Sequence, residues 1–474
     1  MKRTMQQLNF DFIVEKKQAD SQKAGGYFEN LITALTTDLN FQENGNTVHP
    51  AHKIHPFPAK FPPQLPRKFI ESLTEPGDVV LDPMMGSGTT LLEAFLLGRK
   101  AIGVDIDPLA LLFTRVKTDV YHEAKLHSTA RAILNSARKN VVLSVSQLTQ
   151  KMGERFDLST REFVDYWFTK DVQSELLALV SEIERIREIE IRDFFKLIFS
   201  SVIITKSGGV SLAIDLAHTR PHRAKIVLSS SGKIIIGNEY QDQLGTKKHL
   251  SKTLRSPIDE FDKKFQQTMK NIIGIPPCDI PPIINYGNAQ SLPIASNSID
   301  LIVTSPPYAS NAIDYMRAHK FTLVWFGYPI HDLMLKRKTY IGSEGPVLKP
   351  LVDLPNKVND VIAGIAKKSK TKSISLRRYY LEMELALSEM QRVLKPGKAA
   401  IVVVGNSTLA GEDSHVEDCL VAIGNGIGFE TAAVGVRQLD RNKRMLPAGK
   451  NINIDSQIQQ RMHEEYVIGF YKPN

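Results

Sequence analysis

Between Asp300 and Tyr308 the sequence reads Asp-Leu-Ile-Val-Thr-Ser-Pro-Pro-Tyr, and this stretch constrains the fold more than any other. Leu301, Ile302 and Val303 form a short apolar run rich in β-branched residues, the composition of a buried strand. Pro306 and Pro307 cannot donate to a ladder, so the strand stops and releases Ser305 to Tyr308 over one edge of a sheet. In open α/β sheets the carboxyl edge is where ligands bind. A hydroxyl at Ser305, a carbonyl at Pro306 and a flat ring at Tyr308 suit a planar base with an exocyclic amino group. A proline-rich turn behind a core strand is the plainer reading of the same residues, and the rest of the chain decides between them.

The sequence around this strand alternates between strand and helix. Val79 to Leu81 reads as a strand, Asp82 to Thr90 as a turn opening a helix through Leu97, and Ala101 to Val104 as a second strand closing on Asp105. Gly86 and Gly88 let the backbone approach a ligand, and the helix beyond presents free N–H groups. Asp105, nineteen positions past Gly86, suits hydrogen bonds to ribose hydroxyls. No Gly-Lys-Ser/Thr follows, which argues against phosphate cradling, and the run is not Gly-x-Gly-x-x-Gly, which argues against a nicotinamide cofactor. A tight structural turn is the alternative. Alternation resumes at Ile283 with a short strand leading to Gly287-Asn288-Ala289. A helix over Ala312–Phe326, one from Tyr379 to Leu394 stopped by Lys395-Pro396-Gly397, a strand over Ala400–Val404, a helix near Val416–Ile423 and strands near Phe429–Val436 and Tyr466–Tyr471 follow.

Other segments set the organisation. A chain of 474 residues suggests two to three domains. Residues 1–45 read as a polar lead-in with a helix over Tyr27–Leu39. Val48 to Pro66 is dense in His and Pro and reads as an extended path lining a cleft, with no acid or Cys beside His49, His52 and His55 to make a metal site. Residues 121–279 interrupt the alternation as an inserted α+β subdomain, helical over Thr169–Ile204, with a hairpin at Ala224–Leu228 and Lys233–Ile236. From Lys336 to Arg378 there are eleven Lys and Arg against three acids. Such a run is usually solvated surface. Placed after the proline-terminated strand, residues 327–378 are a candidate basic loop tracking phosphates, through Lys336, Arg337, Lys338, Lys367, Lys368, Lys370 and Lys372. The net charge of +9 fits a polyanionic partner. Two cysteines, Cys278 and Cys419, allow no disulfide framework and no Cys-based zinc site. No run approaches membrane-span length, and the expected location is cytoplasmic.

Taken together, these motifs resemble the S-adenosylmethionine-dependent DNA amino-methyltransferases, the N4-cytosine/N6-adenine family. Asp82-Pro83-Met84-Met85-Gly86-Ser87-Gly88-Thr89 resembles their cofactor motif, and Pro58-Ala59-Lys60-Phe61-Pro62 the segment that folds over the cofactor's methionine end. Ser305-Pro306-Pro307-Tyr308 resembles the catalytic motif in the form most often found in N4-cytosine enzymes, and Arg392 to Gly397 before a Val-rich strand is also typical. The resemblance covers residues 48–120 and 283–474. It implies a Rossmann-like class I seven-stranded sheet, S-adenosylmethionine as cofactor, double-stranded DNA as partner and a possible cognate restriction endonuclease. It also implies catalytic roles for Ser305, Pro306, Pro307 and Tyr308. Lys60, Phe61, Asp82, Pro83, Gly86, Gly88, Thr89, Asp105 and Asn288 fall at the cofactor. The insertion leaves the target-recognition region unassigned.

N6-adenine methylation is the rival within this chemistry, and RNA an alternative substrate. From other classes, a nicotinamide-dependent oxidoreductase would use a similar βαβ start, and a non-catalytic DNA-binding module would leave the glycine turn unexplained. Pro276-Pro277-Cys278 looks like the nucleophile motif of C5-cytosine enzymes. No apolar strand leads into Cys278, however, and transfer to an amino group needs no covalent adduct.

Overall fold

The computed structural model describes residues 26–41, 48–55, 57, 61–142, 144–205, 207–214, 216, 221–243, 251–272, 280–309, 314–343, 353–405, 407–439 and 464–474. In chain order its strands are β1 (Val79–Asp82), β2 (Lys100–Asp105), β3 (Ile226–Leu228), β4 (Ile234–Ile236), β5 (Ser251–Thr253), β6 (Ile283–Tyr286), β7 (Ile299–Thr304), β8 (Leu394–Gly405), β9 (Thr408–Leu409), β10 (Glu412–Asp413), β11 (Glu430–Gln438) and β12 (Glu464–Tyr471). Seven of them form the expected Rossmann-like sheet, in the order β11-β12-β8-β7-β1-β2-β6. β6, β2, β1, β7 and β8 run parallel, whereas β12 is antiparallel to both its neighbours. The chain moves outward from β1 through β2 to β6, then returns to the centre as β7. The reversal between β1 and β7 opens a crevice at their carboxyl ends.

Every residue of β7 is buried. Leu301 and Val303 face a core shared with the Tyr27–Thr36, Gln64–Leu73 and Thr89–Leu96 helices, while Ile299 and Ile302 face the Lys370–Val393 helix. Asp300, at the amino end of β7, accepts from the Val79 N–H at 3.0 Å and from the Lys395 ammonium at 2.7 Å, clamping the three central strands together.

Several elements differ from their sequence reading. The lead-in contributes a helix, Tyr27–Thr36, whose Leu31 and Leu35 are buried against the sheet, so it belongs to the sheet's own core. The His/Pro segment is not simply extended. It holds a 3₁₀ turn at Pro50–Lys53 and enters a helix at Gln64, with Pro66 in the first turn, where no N–H partner is lost. Thr169 to Ile204 divides into two helices, Lys170–Glu184 and Ile189–Ile203. Among its described residues the basic segment holds, in place of the expected loop, helices at Ile330–Arg337 and Asn356–Lys368 and the start of Lys370–Val393. Ser369 caps that last helix, which therefore begins nine residues before Tyr379. Lys395-Pro396-Gly397 lies inside β8, where the register with β7 shifts between Ile299 and Leu301.

The insertion combines helices with the small β4-β3-β5 sheet. Its apolar interior is continuous with Leu109 and Phe113 on the Pro108–Thr118 helix and with Phe321 and Trp325 beyond β7. It is fused to the sheet's flank.

Gly435 on β11 marks where the Tyr27–Thr36 helix docks, since a Cβ there would lie 2.5 Å from the Leu35 carbonyl oxygen. Gly435→Val should push the helix off, cost about 1–3 kcal/mol and expose the helix to limited proteolysis. Wild-type stability and protease resistance would show that the docking tolerates this bulk.

Candidate active site

The glycine turn is built by backbone conformation and buried acids. Gly86 and Gly88 hold φ of 49° and 73°, a region that disfavours other residues. A Cβ on Gly88 would collide with the Thr114 side chain, so this glycine serves helix packing and does not itself line the cleft. The Gly86 N–H donates to Asp105 Oδ2 and the Asp107 N–H to Asp105 Oδ1, both at 2.8 Å. Buried Lys117 donates to the Ser87 carbonyl and braces the turn from below. At the tip of β1, Asp82 Oδ1 accepts from the Met84 N–H at 3.1 Å and from the Thr304 hydroxyl at 2.7 Å. Thr304 is the last residue of β7, so that bond joins the glycine turn to the Ser305–Tyr308 turn.

One cleft runs between the two turns. Asp82, Pro83, Gly86, Thr89, Asp105 and Asn288 line it together with Phe61, and Ser305, Pro306, Pro307 and Tyr308 line the opposite side. Lys60 and Cys278 lie outside the described residues. Asn288 Oδ1 accepts from the Gln290 N–H at 3.0 Å in a local turn. The Lys336 ammonium lies 4.3 Å from the Tyr286 ring centroid and donates to the Ile106 carbonyl at 3.2 Å. Arg337 pairs with Asp314, whereas Lys338, Lys367, Lys368, Lys370 and Lys372 are exposed.

The cleft also holds residues that the sequence reading missed. Phe57 packs 5.2 Å from Tyr315, and both line the cleft beside Tyr340. Asp107 caps the Pro108–Thr118 helix and receives His319 Nδ1 at 2.6 Å and the Tyr340 hydroxyl at 3.0 Å. An Asp before Pro is a readable helix start, but nothing local marks Tyr340 or His319 as its partners. Tyr308 donates to Glu465 Oε1 at 3.0 Å, and Glu465 Oε2 pairs with buried Arg437. The His residues of the Pro-rich segment are internal anchors: His52 meets Glu93 at 2.7 Å and His55 meets Ser200 at 3.1 Å.

Electrostatics follow burial. Desolvation pushes the Asp82 carboxyl up to about 6, against the hydrogen bonds it accepts. Asp105 rises to about 7, from burial first and the nearby Asp107 charge second. Burial would raise Asp107 too, but the adjacent His319 and its hydrogen bonds hold it below the ordinary carboxylate range.

A glycine-lined turn, aromatic and apolar walls and an acid at the tip of β2 fit an adenosyl cofactor with an amino-acid tail. The chain's sequence agrees. The N6/N4 methyltransferase family, described as DNA methylase, matches residues 9–111. The type II methyltransferase M.MvaI of Kocuria varians is 25% identical over 407 residues, covering 80% of this chain and 84% of that protein. M.BsoBI of Geobacillus stearothermophilus is 24% identical over 461 residues, covering 88% and 83%. M.MjaII of Methanocaldococcus jannaschii is 29% identical over 180 residues, covering 37% and 34%. These similarities support a DNA amino-methyltransferase dependent on S-adenosylmethionine.

The raised carboxyls give a signed pH dependence. A carboxyl raised by folding contributes stability at low pH that is lost as pH climbs through its folded value. The denaturation midpoint of the ligand-free protein should therefore fall from about pH 4 to about pH 7, and Asp105→Asn should flatten that fall. Asp105→Ala should weaken S-adenosylmethionine binding about ten- to hundredfold in calorimetry, and unchanged affinity in the folded variant would remove Asp105 from the ribose contact.

Proposed function

We propose that the protein transfers a methyl group from S-adenosylmethionine to the exocyclic N4 amino group of a cytosine flipped out of double-stranded DNA, in a restriction-modification setting. The observation that carries this is the Ser305-Pro306-Pro307-Tyr308 turn, at the tip of the central strand and across one cleft from the glycine turn. S-adenosylmethionine, when bound, supplies an electrophilic methyl. The chain must then make the amine nucleophilic, because its lone pair is delocalised into the ring. The amino hydrogens donate to Ser305 Oγ and to the Pro306 carbonyl, drawing the nitrogen toward tetrahedral geometry and aiming its lone pair. Tyr308 offers a ring face for stacking. In-line positioning supplies much of the acceleration. Extruding the base costs roughly a few kcal/mol of stacking and pairing. The Ser-Pro-Pro-Tyr form favours cytosine over adenine by resemblance.

Asp82 and Thr89 line the part of the cleft assigned to the methionine end, Asp105 the ribose and Asn288 the adenine edge. The insertion at 121–279 is the proposed target-reading region. Phosphates of the duplex fall to the exposed lysines. The Lys370–Val393 helix runs directly into β8 at Leu394, so its amino end lies over the carboxyl edge of the sheet, on the same side as the cleft. Lys367, Lys368, Lys370 and Lys372 cluster there, and among the described residues their one ion pair, Lys368 with Glu412 at 3.8 Å, is exposed and weak.

Nucleoside mass spectrometry of methylated duplex DNA tests the base and the mechanism. N4-methylcytosine is expected. Ser305→Ala should slow single-turnover transfer without abolishing it, because the Pro306 carbonyl remains, and Cys278→Ser should leave activity unchanged. N6-methyladenine would replace the base while keeping the amine chemistry. 5-methylcytosine, with loss of activity in Cys278→Ser, would overturn both.

Neutralising the four lysines should weaken DNA binding similarly across sequences and reduce the salt dependence by about 0.9 per lost phosphate contact. A wild-type salt slope would assign these lysines to solvated surface alone.

A further inference from the structure

Beyond the Ser305–Tyr308 turn the chain returns to the cleft along residues 336–342, and Thr339, Tyr340 and Ile341 line it together with Asp105, Ile106 and Asn288. This return is tied to the turn between β2 and the Pro108–Thr118 helix. Lys336 donates to the Ile106 carbonyl at 3.2 Å, and the Tyr340 hydroxyl to Asp107 Oδ2 at 3.0 Å. Other bonds place the segment without help from that hydroxyl. Arg378 donates to the Lys338 carbonyl and the Gly342 N–H to Glu382 Oε2, both at 2.8 Å, one on each side of Tyr340. The bond from Tyr340 to Asp107 is therefore left to set the side chain rather than the path of the backbone.

Asp107 is also built for more than a helix cap. Capping uses Oδ1, which accepts from the Leu109 N–H at 2.8 Å. Oδ2 accepts from His319 Nδ1 at 2.6 Å as well as from Tyr340. Asp107 and His319 are 4% and 0% exposed, and taking a carboxylate that far out of water is costly where a cap is all it supplies. A carboxylate only accepts, so the Tyr340 hydroxyl spends its proton on Asp107. A phenolic O–H prefers the plane of its ring, because the oxygen lone pair conjugates with the ring. An acceptor held still by His319 and the cap therefore fixes the ring plane as well as the hydroxyl. With the hydroxyl turned to Asp107, the ring is what Tyr340 presents to the cleft.

We propose that Tyr340 is a cofactor-binding residue whose ring walls the adenosyl part of the cleft, and that Asp107 and His319 are positioning residues acting through it. The placement follows from β2: Asp105 at its tip is the proposed ribose contact, and Tyr340 is tied two residues further along, at Asp107. A flat aromatic face there suits the adenine ring or the carbon face of the ribose. This rests on the S-adenosylmethionine reading above.

Calorimetry on the full chain tests it, with S-adenosylmethionine and with S-adenosylhomocysteine, which share the adenosyl part. Tyr340→Phe keeps the ring and removes the tie, and it should weaken both ligands about tenfold and to the same extent. In methyl transfer to unmethylated genomic DNA it should raise the cofactor KM and leave kcat at saturating cofactor unchanged. A merely structural bond would lower the thermal midpoint without moving that split. Asp107→Asn keeps a capping side chain, and in a Tyr340→Phe background it should weaken binding less than about twofold further, because the ring it orients is already loose. If Asp107→Asn does not fold, Tyr340→Phe decides alone. Wild-type affinity in Tyr340→Phe, weakening confined to S-adenosylmethionine, a fall in kcat with KM unchanged, or costs that multiply in full would each overturn the inference and leave the cofactor reading in place. Wild-type protein that binds neither ligand would overturn that reading and this inference with it.

Discussion

The hydrogen bond from Thr304 to Asp82 holds the two halves of the site in register. Both groups are buried, at 0% and 3% exposure, and they end the two central strands flanking the point where the chain reverses direction. The glycine turn begins one residue after Asp82, and the Ser-Pro-Pro-Tyr turn one residue after Thr304. A shift of one strand against the other would break this bond and move the glycine turn out of register with the Ser305–Tyr308 turn. Desolvation raises the Asp82 carboxyl to about 6, so at neutral pH the acceptor of this bond is still mostly a carboxylate. Asp300 repeats the device at the opposite end of β7, tying it to β1 and β8.

Much of this centre was legible because local chemistry and global position agree there. An apolar β-branched run ended by two prolines can be little other than a buried strand with an exposed tip. Glycines before a helix and an acid at the next strand tip are likewise local signals. The basic segment misled because charge was given more weight than period. Val358, Ile362 and Ile365 are spaced as one helical face and are buried, while the lysines occupy the other side. Pro50, Pro63 and Pro66 misled in the opposite way: they sit at or near helix starts, where a missing N–H costs nothing. Glu465 and Arg437 gave no local sign at all. In sequence they resemble outward-facing residues of two strands, and only the sheet order brings them beside Tyr308.

The insertion changes how the catalytic side is supported. The Met316–Leu323 helix, which follows the Ser305–Tyr308 turn, packs Phe321 against Phe163, Trp167 and Phe168 of the insertion. Tyr315, at the start of that helix, lines the cleft. A close-packed interior transmits displacement with little compliance. The Tyr315 wall of the cleft and the inserted region therefore belong to one stiff block.

The interior place of β12 has a consequence for how such an enzyme comes into being. β12 is the latest of the seven strands in sequence, yet it lies between β8 and β11 and carries Glu465 to the pocket. β7 in turn must find β1 across about two hundred residues, with Val79 and Asp300 separated by 221 positions. Pairings this distant form late and slowly. Every described residue that lines the cleft precedes β12 in the chain, so the strand that fills the gap between β8 and β11 is also the last of the seven to be synthesised.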